Sequence, residues 1–120
     1  MAKLLIVDDE IDVREFAANF FRKRKVGVIT AASGEEALGI LEKQKIHLVL
    51  LDIKMDGMDG IETLRRIREK DKKIKVIMVT GKKPEEAEAF DSCRKYGALD
   101  YIHKPLELDE LEKVIMKELP

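Results

Sequence analysis

The chain has 120 residues, enough for one hydrophobic core of ordinary domain size and too few for two. Apolar residues make up 45% and charged residues 39%, which excludes an extensively disordered chain; 23 basic against 24 acidic residues give a net charge of −1, so no overall field draws it to nucleic acid or to an anionic membrane. Its single cysteine, Cys93, excludes an intramolecular disulfide and a cysteine-rich zinc site, and without an apolar run of membrane-spanning length or a leader-like start the expected setting is cytoplasmic and reducing.

Short apolar runs alternate with longer amphipathic stretches, the pattern of a parallel sheet with helices on both faces. A strand is predicted over Lys3 to Val7, then a helix from Ile11 to Lys23 with Val13, Phe16, Ala17, Phe20 and Phe21 on one side. The basic cluster Arg22-Lys23-Arg24-Lys25 reads as the solvated carboxyl end of that helix. A strand over Gly27 to Ala31 follows, and Ser33-Gly34-Glu35-Glu36 has the spacing of a capping box ahead of a helix that buries Ala37, Leu38 and Leu41. The third strand is Leu48 to Leu51, and its helix begins after Asp59-Gly60 and turns Ile61, Leu64 and Ile67 inward.

A fourth strand is predicted over Ile74 to Val79, stopping at Thr80-Gly81, with Pro84 as a first-turn residue of the next helix. Between Glu85 and Tyr96 that helix offers mainly Ala87, Ala89, Phe90 and Cys93 for burial, so it is expected to be anchored more weakly than the others. The fifth strand runs from Leu99 to His103, and the last helix buries Leu108, Leu111, Val114, Ile115 and Leu119. His47 and His103 read as ordinary surface or strand-end residues.

Right-handed crossovers in such a chain produce an open, doubly wound α/β sheet of about five strands, with ligands bound outside the carboxyl ends of the strands where the order reverses. Asp8, Asp9, Asp52, Thr80 and Lys104 all fall at that edge. Taken singly, Asp8-Asp9 is as readily a helix start and Asp52 a turn residue; the case rests on their falling together. Two like charges about 4 Å apart repel by roughly 4 kcal/mol at an effective dielectric near 20, so such carboxylates need cations among them. Lys104 and a divalent cation fill that need, and oxygen-only ligands suit Mg²⁺, with Asp9 and Asp52 bound directly and Asp8 through water. Asp52 then has the attributes of an in-line nucleophile toward a phosphoryl group, and Thr80 of a donor to a phosphoryl oxygen, with Tyr101 able to fill the space that a moving hydroxyl vacates.

The motifs Ile6-Val7-Asp8-Asp9-Glu10, Leu51-Asp52 through Met58-Asp59-Gly60, Val79-Thr80, and Tyr101 with Lys104-Pro105 resemble those of a response-regulator receiver domain of two-component signalling, across essentially the whole chain. The resemblance is especially close to single-domain regulators of the chemotaxis and sporulation-relay kind. It implies a flavodoxin-like sheet of order 2-1-3-4-5 with about five helices, in one receiver domain over residues 1–120. It further implies Asp52 as phosphoacceptor, Asp8 and Asp9 as the acidic pair, the Lys54 carbonyl as a ligand to Mg²⁺, Thr80 and Tyr101 as a switch pair, Lys104 as the phosphate-sensing lysine, and a cis peptide before Pro105. The implied partners are a sensor histidine kinase or histidine phosphotransfer protein and a downstream target protein, met on the face of the fourth helix and fifth strand, with no direct contact to nucleic acid or membrane.

Two departures from the family pattern stand out. Asp56 replaces the usual proline, which implies a looser turn, and Gly81 replaces an alanine, which implies a more mobile loop. Lys54 and Lys82 lie two residues beyond Asp52 and Thr80, positions that the resemblance implies flank the path of hydrolytic water, so long side chains there are expected to slow loss of the phosphoryl group. Because the chain ends at Leu119-Pro120, a stand-alone regulator is expected, with the receiver of a longer transcriptional regulator or enzyme as the alternative. A Mg²⁺-dependent phosphatase with an aspartyl nucleophile is disfavoured by Lys54, which stands where such enzymes place a second aspartate, and a flavin binder by Asp8-Asp9-Glu10, which would repel a phosphate.

Overall fold

Each of the short apolar runs forms a strand. In the computed structural model, which describes residues 1–81 and 87–120, β1 (Lys3–Val7), β2 (Gly27–Ala31), β3 (Leu48–Asp52), β4 (Lys75–Thr80) and β5 (Asp100–His103) make one parallel sheet in the order β2-β1-β3-β4-β5. The helices α1 (Ile11–Arg22), α2 (Gly34–Lys43), α3 (Gly60–Lys70), α4 (Ala87–Lys95) and α5 (Leu108–Glu118) alternate with the strands. The start of the fourth helix at Pro84 and Glu85 lies outside the described residues, as do Lys82 and the side chains of Ala87 and Ala89.

Period-two alternation divides the strands between two cores. Leu5, Val7, Val49, Leu51, Val76 and Met78 face α2, α3 and α4, whereas Leu4, Ile6, Leu48, Leu50, Ile77 and Ile102 face α1 and α5. Ser33 caps α2 by accepting the N–H of Glu36 at 3.1 Å, and Asp59 caps α3 by accepting that of Glu62 at 2.8 Å. Cys93 is a packing residue, fully buried against the α2–α3 core, with the half-buried Phe90 packed on the same core. The end of α4 is tied further by Arg68 of α3, which donates to the Tyr96 carbonyl at 2.7 Å, the Ile74 carbonyl at 2.7 Å and the Gly97 carbonyl at 3.1 Å.

Several expectations give way to packing. Phe16 is 47% exposed, because the buried arc of α1 is formed by Ala17, Ala18, Phe20 and Phe21 and leaves it at the margin. Leu108, the first residue of α5, is exposed, and Leu99 lies just outside β5 and is exposed as well. Arg24 is no freely solvated helix end: its guanidinium lies 3.6 Å from the centre of the Phe20 ring and pairs with Glu112 of α5. His47 has a structural part, since its Nδ1 accepts the N–H of Lys3 at 3.0 Å and pins the start of β1.

Candidate functional site

The carboxyl ends of β1 and β3 are adjacent in the sheet, and the register that pairs Val7 with Leu51 sets Asp8 and Asp52 side by side. Both residues are almost wholly buried, 3% and 2% exposed. Neither member of the acidic pair caps α1, whose N-cap is Glu10; Asp8 Oδ1 instead accepts the Glu10 N–H at 2.9 Å, while Arg14 donates to the Asp8 carbonyl at 2.8 Å. The helix-start reading of the pair therefore does not account for these residues.

Lys104, which follows β5 and precedes a cis peptide to Pro105, reaches into the same cluster. Its Nζ lies 3.2 Å from Asp52 Oδ2, 3.4 Å from Asp8 Oδ2 and 3.1 Å from Glu10 Oε1. Asp8, Asp9, Glu10 and Asp52 each offer a carboxylate oxygen within 4.8 Å of the others, so this ammonium is shared among more negative charge than it can offset. Burial pushes the Asp52 carboxyl up to about 7, the Asp8 charge adds to the rise, and Lys104 only partly opposes it. Asp8 is raised too, chiefly by burial and against the Glu10 N–H and Lys104. Burial works against the charge of Lys104, but Asp52, Asp8 and Glu10 outweigh it and hold the ammonium above its usual range. Hard oxygen donors, buried at Asp8 and Asp52 and open to solvent at Asp9 and Glu10, with a deficit of positive charge fit a hard divalent cation of the Mg²⁺ kind.

Substituting Lys104→Met leaves buried carboxylates without their cation. It is expected to lower stability by roughly 1–3 kcal/mol at pH 8 in the absence of metal, measured by urea denaturation; a midpoint equal to that of the wild type would contradict the arrangement.

The loop after β3 is held in two places. Gly60 packs so closely that a Cβ there would stand 2.1 Å from the Asp52 carbonyl oxygen, and its N–H donates to the Ile53 carbonyl at 2.8 Å. On the other side, the N–H of Asp56 donates to Asp9 Oδ2 at 2.9 Å. A proline at this position has no N–H to give, so the departure at Asp56 ties the turn to the acidic pair rather than loosening it. The N–H of Lys54 approaches Asp52 Oδ1 at 3.4 Å, and the Lys54 side chain is exposed.

Thr80 ends β4 beside Asp52, fully buried, and its hydroxyl donates to the Gly81 carbonyl at 2.9 Å. Tyr101 is half-buried on β5; its hydroxyl donates to the Phe90 carbonyl of α4 at 3.1 Å and its ring meets that of Phe90 edge to face, 4.9 Å between centres. The structure thus brings Asp8, Asp9, Asp52 and Lys104 together, sets Thr80 at the same edge, and joins Tyr101 to α4. Glu10 is the residue that the sequence reading left without a role; its place directly after the acidic pair was the available signal.

Comparison with known proteins gives the family and agrees with the fold. The family model described as response regulator receiver domain matches residues 4–116. The sporulation initiation phosphotransferase F of Bacillus subtilis is 39% identical over 118 residues, covering 98% of this chain and 94% of that protein. The heme response regulator HssR of Staphylococcus aureus is 36% identical over 113 residues, and the match spans 92% of this chain but only 48% of that protein. The crystal structure of a response regulator receiver protein from Pseudomonas putida superposes with a TM-score of 0.91 at 28% identity, covering 98% of this chain and 97% of that one. Among the described residues no helix is long and apolar enough to cross a membrane.

Proposed function

The chain belongs to the response regulator receiver family, the phosphoacceptor modules of two-component signalling, and from that premise we propose that Asp52 accepts the phosphoryl group within one receiver domain over residues 1–120. The observation that carries this reading is a nearly buried carboxylate at the tip of the central strand, 3.2 Å from Lys104 Nζ and beside Asp8. An oxygen of Asp52 attacks phosphorus in line, the P–N bond of a phosphohistidine donor breaks, and the imidazole nitrogen keeps the electron pair. Lys104 moves from its carboxylate partners to an oxygen of the transferred group. Asp9 and Asp52, with the Lys54 carbonyl, would hold Mg²⁺, and Asp8 would hold it through water. When bound, the ion would neutralise charge developing on the phosphoryl oxygens.

The partners in this reading are a histidine kinase or histidine phosphotransfer protein as donor and a target protein as output. The switch is the pair Thr80 and Tyr101. The Thr80 hydroxyl leaves the Gly81 carbonyl for a phosphoryl oxygen, and Tyr101 gives up its bond to Phe90, so the α4–β5 face alters. Transfer of a radiolabelled phosphoryl group from an autophosphorylated histidine kinase tests the donor class. Label is expected on the wild type and lost under mild alkali, as an acyl phosphate requires; label retained on Asp52→Asn would overturn the assignment.

The Lys54 side chain is exposed and the residue's own N–H approaches Asp52 Oδ1, and the side chain is proposed to screen the phosphoryl group from water. Substituting Lys54→Ala is expected to speed loss of the phosphoryl group several-fold in the presence of Mg²⁺. An unchanged decay rate would show that hydrolytic water takes another route.

A further inference from the structure

A cleft of about 680 Å³ opens at the other end of the sheet from Asp52, between the carboxyl ends of α2 and α3. Its floor is apolar: Leu38 and Leu41 of α2, Ile67 of α3, and Ile46 and Ile74, which lead into β3 and β4. Leu38, Leu41 and Ile74 are only half-buried, so part of this apolar surface still faces solvent. Both the volume and the lining lie within the range of small-molecule sites.

The rim is lopsided in charge. Lys45, Lys70, Lys73 and Lys75 stand against Glu42 and Asp71. Lys70 pairs with Glu42, and Lys75 Nζ lies 3.3 Å from Glu118 Oε1. Asp71 spends an oxygen on the N–H groups of Lys73 and Ile74, at 2.8 and 3.0 Å. Among the described residues no carboxylate pairs with the ammonium of Lys45 or Lys73, and both line the cleft. His47 lines it too, and with Nδ1 accepting from Lys3 its remaining ring nitrogen is a donor. An apolar floor under two unpaired ammonium groups and a donor matches a ligand with an apolar body and one acidic head. A cation would meet repulsion at this rim, and a neutral lipid or alcohol would leave the ammonium groups unused.

We propose that this cleft binds a small amphipathic carboxylate, independently of the phosphoacceptor site. The test is an amide chemical-shift titration of the full chain with decanoate, decanol and decyltrimethylammonium. Decanoate is expected to give saturable shifts centred on Ile46, His47, Ile74 and Lys75, with decanol and the cation binding at least roughly tenfold more weakly. The double variant Lys45→Glu with Lys73→Glu is expected to weaken decanoate roughly tenfold while leaving phosphorylation by acetyl phosphate unchanged, which shows that the variant is folded. Absence of saturable shifts, equal binding of the alcohol or cation, or indifference to charge reversal would overturn the proposal. So would shifts of the same amides on raising protein concentration without ligand, which would assign the face to a second copy of the chain.

Discussion

Asp52→Asn is expected to be more stable than the wild type at pH 8 without metal, and no more stable at pH 4. The Asp52 carboxyl is pushed up to about 7 by burial and by Asp8, whereas in the unfolded chain it titrates near 4. Between those values the folded protein binds the proton more tightly than the unfolded one. Its contribution is therefore fully present below about pH 4 and is lost as pH rises through about 7. A tenfold difference in proton affinity is worth about 1.4 kcal/mol, which sets an upper limit near 4 kcal/mol. Screening and relaxation reduce this, so an advantage of roughly 2 kcal/mol for the variant is the expected reading at pH 8. Asp8 is raised in the same direction and faces Asp52, so removing the Asp52 charge also relieves Asp8 and acts in the same direction on the pH-dependent difference. Urea denaturation across pH 4 to 8 measures it, and saturating Mg²⁺ should narrow the gap by offsetting the charge in the wild type. A difference that does not vary with pH would show that Asp52 is not held under electrostatic stress.

Gly60→Ala is expected to destabilise the protein by roughly 2–4 kcal/mol and to slow phosphorylation of Asp52. The added Cβ would stand 2.1 Å from the Asp52 carbonyl oxygen and 2.7 Å from Ile53 Cα, and both obstacles are backbone atoms that cannot rotate away. Either α3 moves outward or the end of β3 shifts, and a shift of β3 carries the acceptor carboxylate with it. Gly39 is the control: it lies within α2, where an added methyl group would meet nothing within 4 Å, so Gly39→Ala should leave stability unchanged or raise it by roughly 0.5–1 kcal/mol. Denaturation midpoints and phosphorylation rates of the two variants separate close packing at Gly60 from a general effect of replacing glycine.

The strands were legible because runs such as Leu48 to Leu51 are short and apolar on both faces, as the interior of a parallel sheet requires, and alternate with longer amphipathic stretches. The edge position of Asp8, Asp9, Asp52 and Lys104 followed from that topology and from the residue types. The orientation of single side chains was less legible. Phe16 is as apolar as Phe20, and which of them is buried depends on where β1, β2 and α5 meet α1, information spread along the chain. Arg24 and Glu112 lie far apart in sequence, so no local pattern marks their pairing over Phe20. The bond from the Asp56 N–H to Asp9 was hidden for the same reason: an amide hydrogen leaves no mark in the sequence beyond the absence of proline. Glu10 was readable as part of an acidic run, but its contact with Lys104 depends on how the loops beyond β1 and β5 converge.

The central claim is that Asp52 is the phosphoacceptor, and intact mass after incubation with acetyl phosphate tests it most directly. The wild type is expected to gain a single phosphoryl group only when Mg²⁺ is present, and Asp52→Asn to gain none under the same conditions. A phosphoryl increment on folded Asp52→Asn equal to that of the wild type would place the acceptor elsewhere and contradict the account.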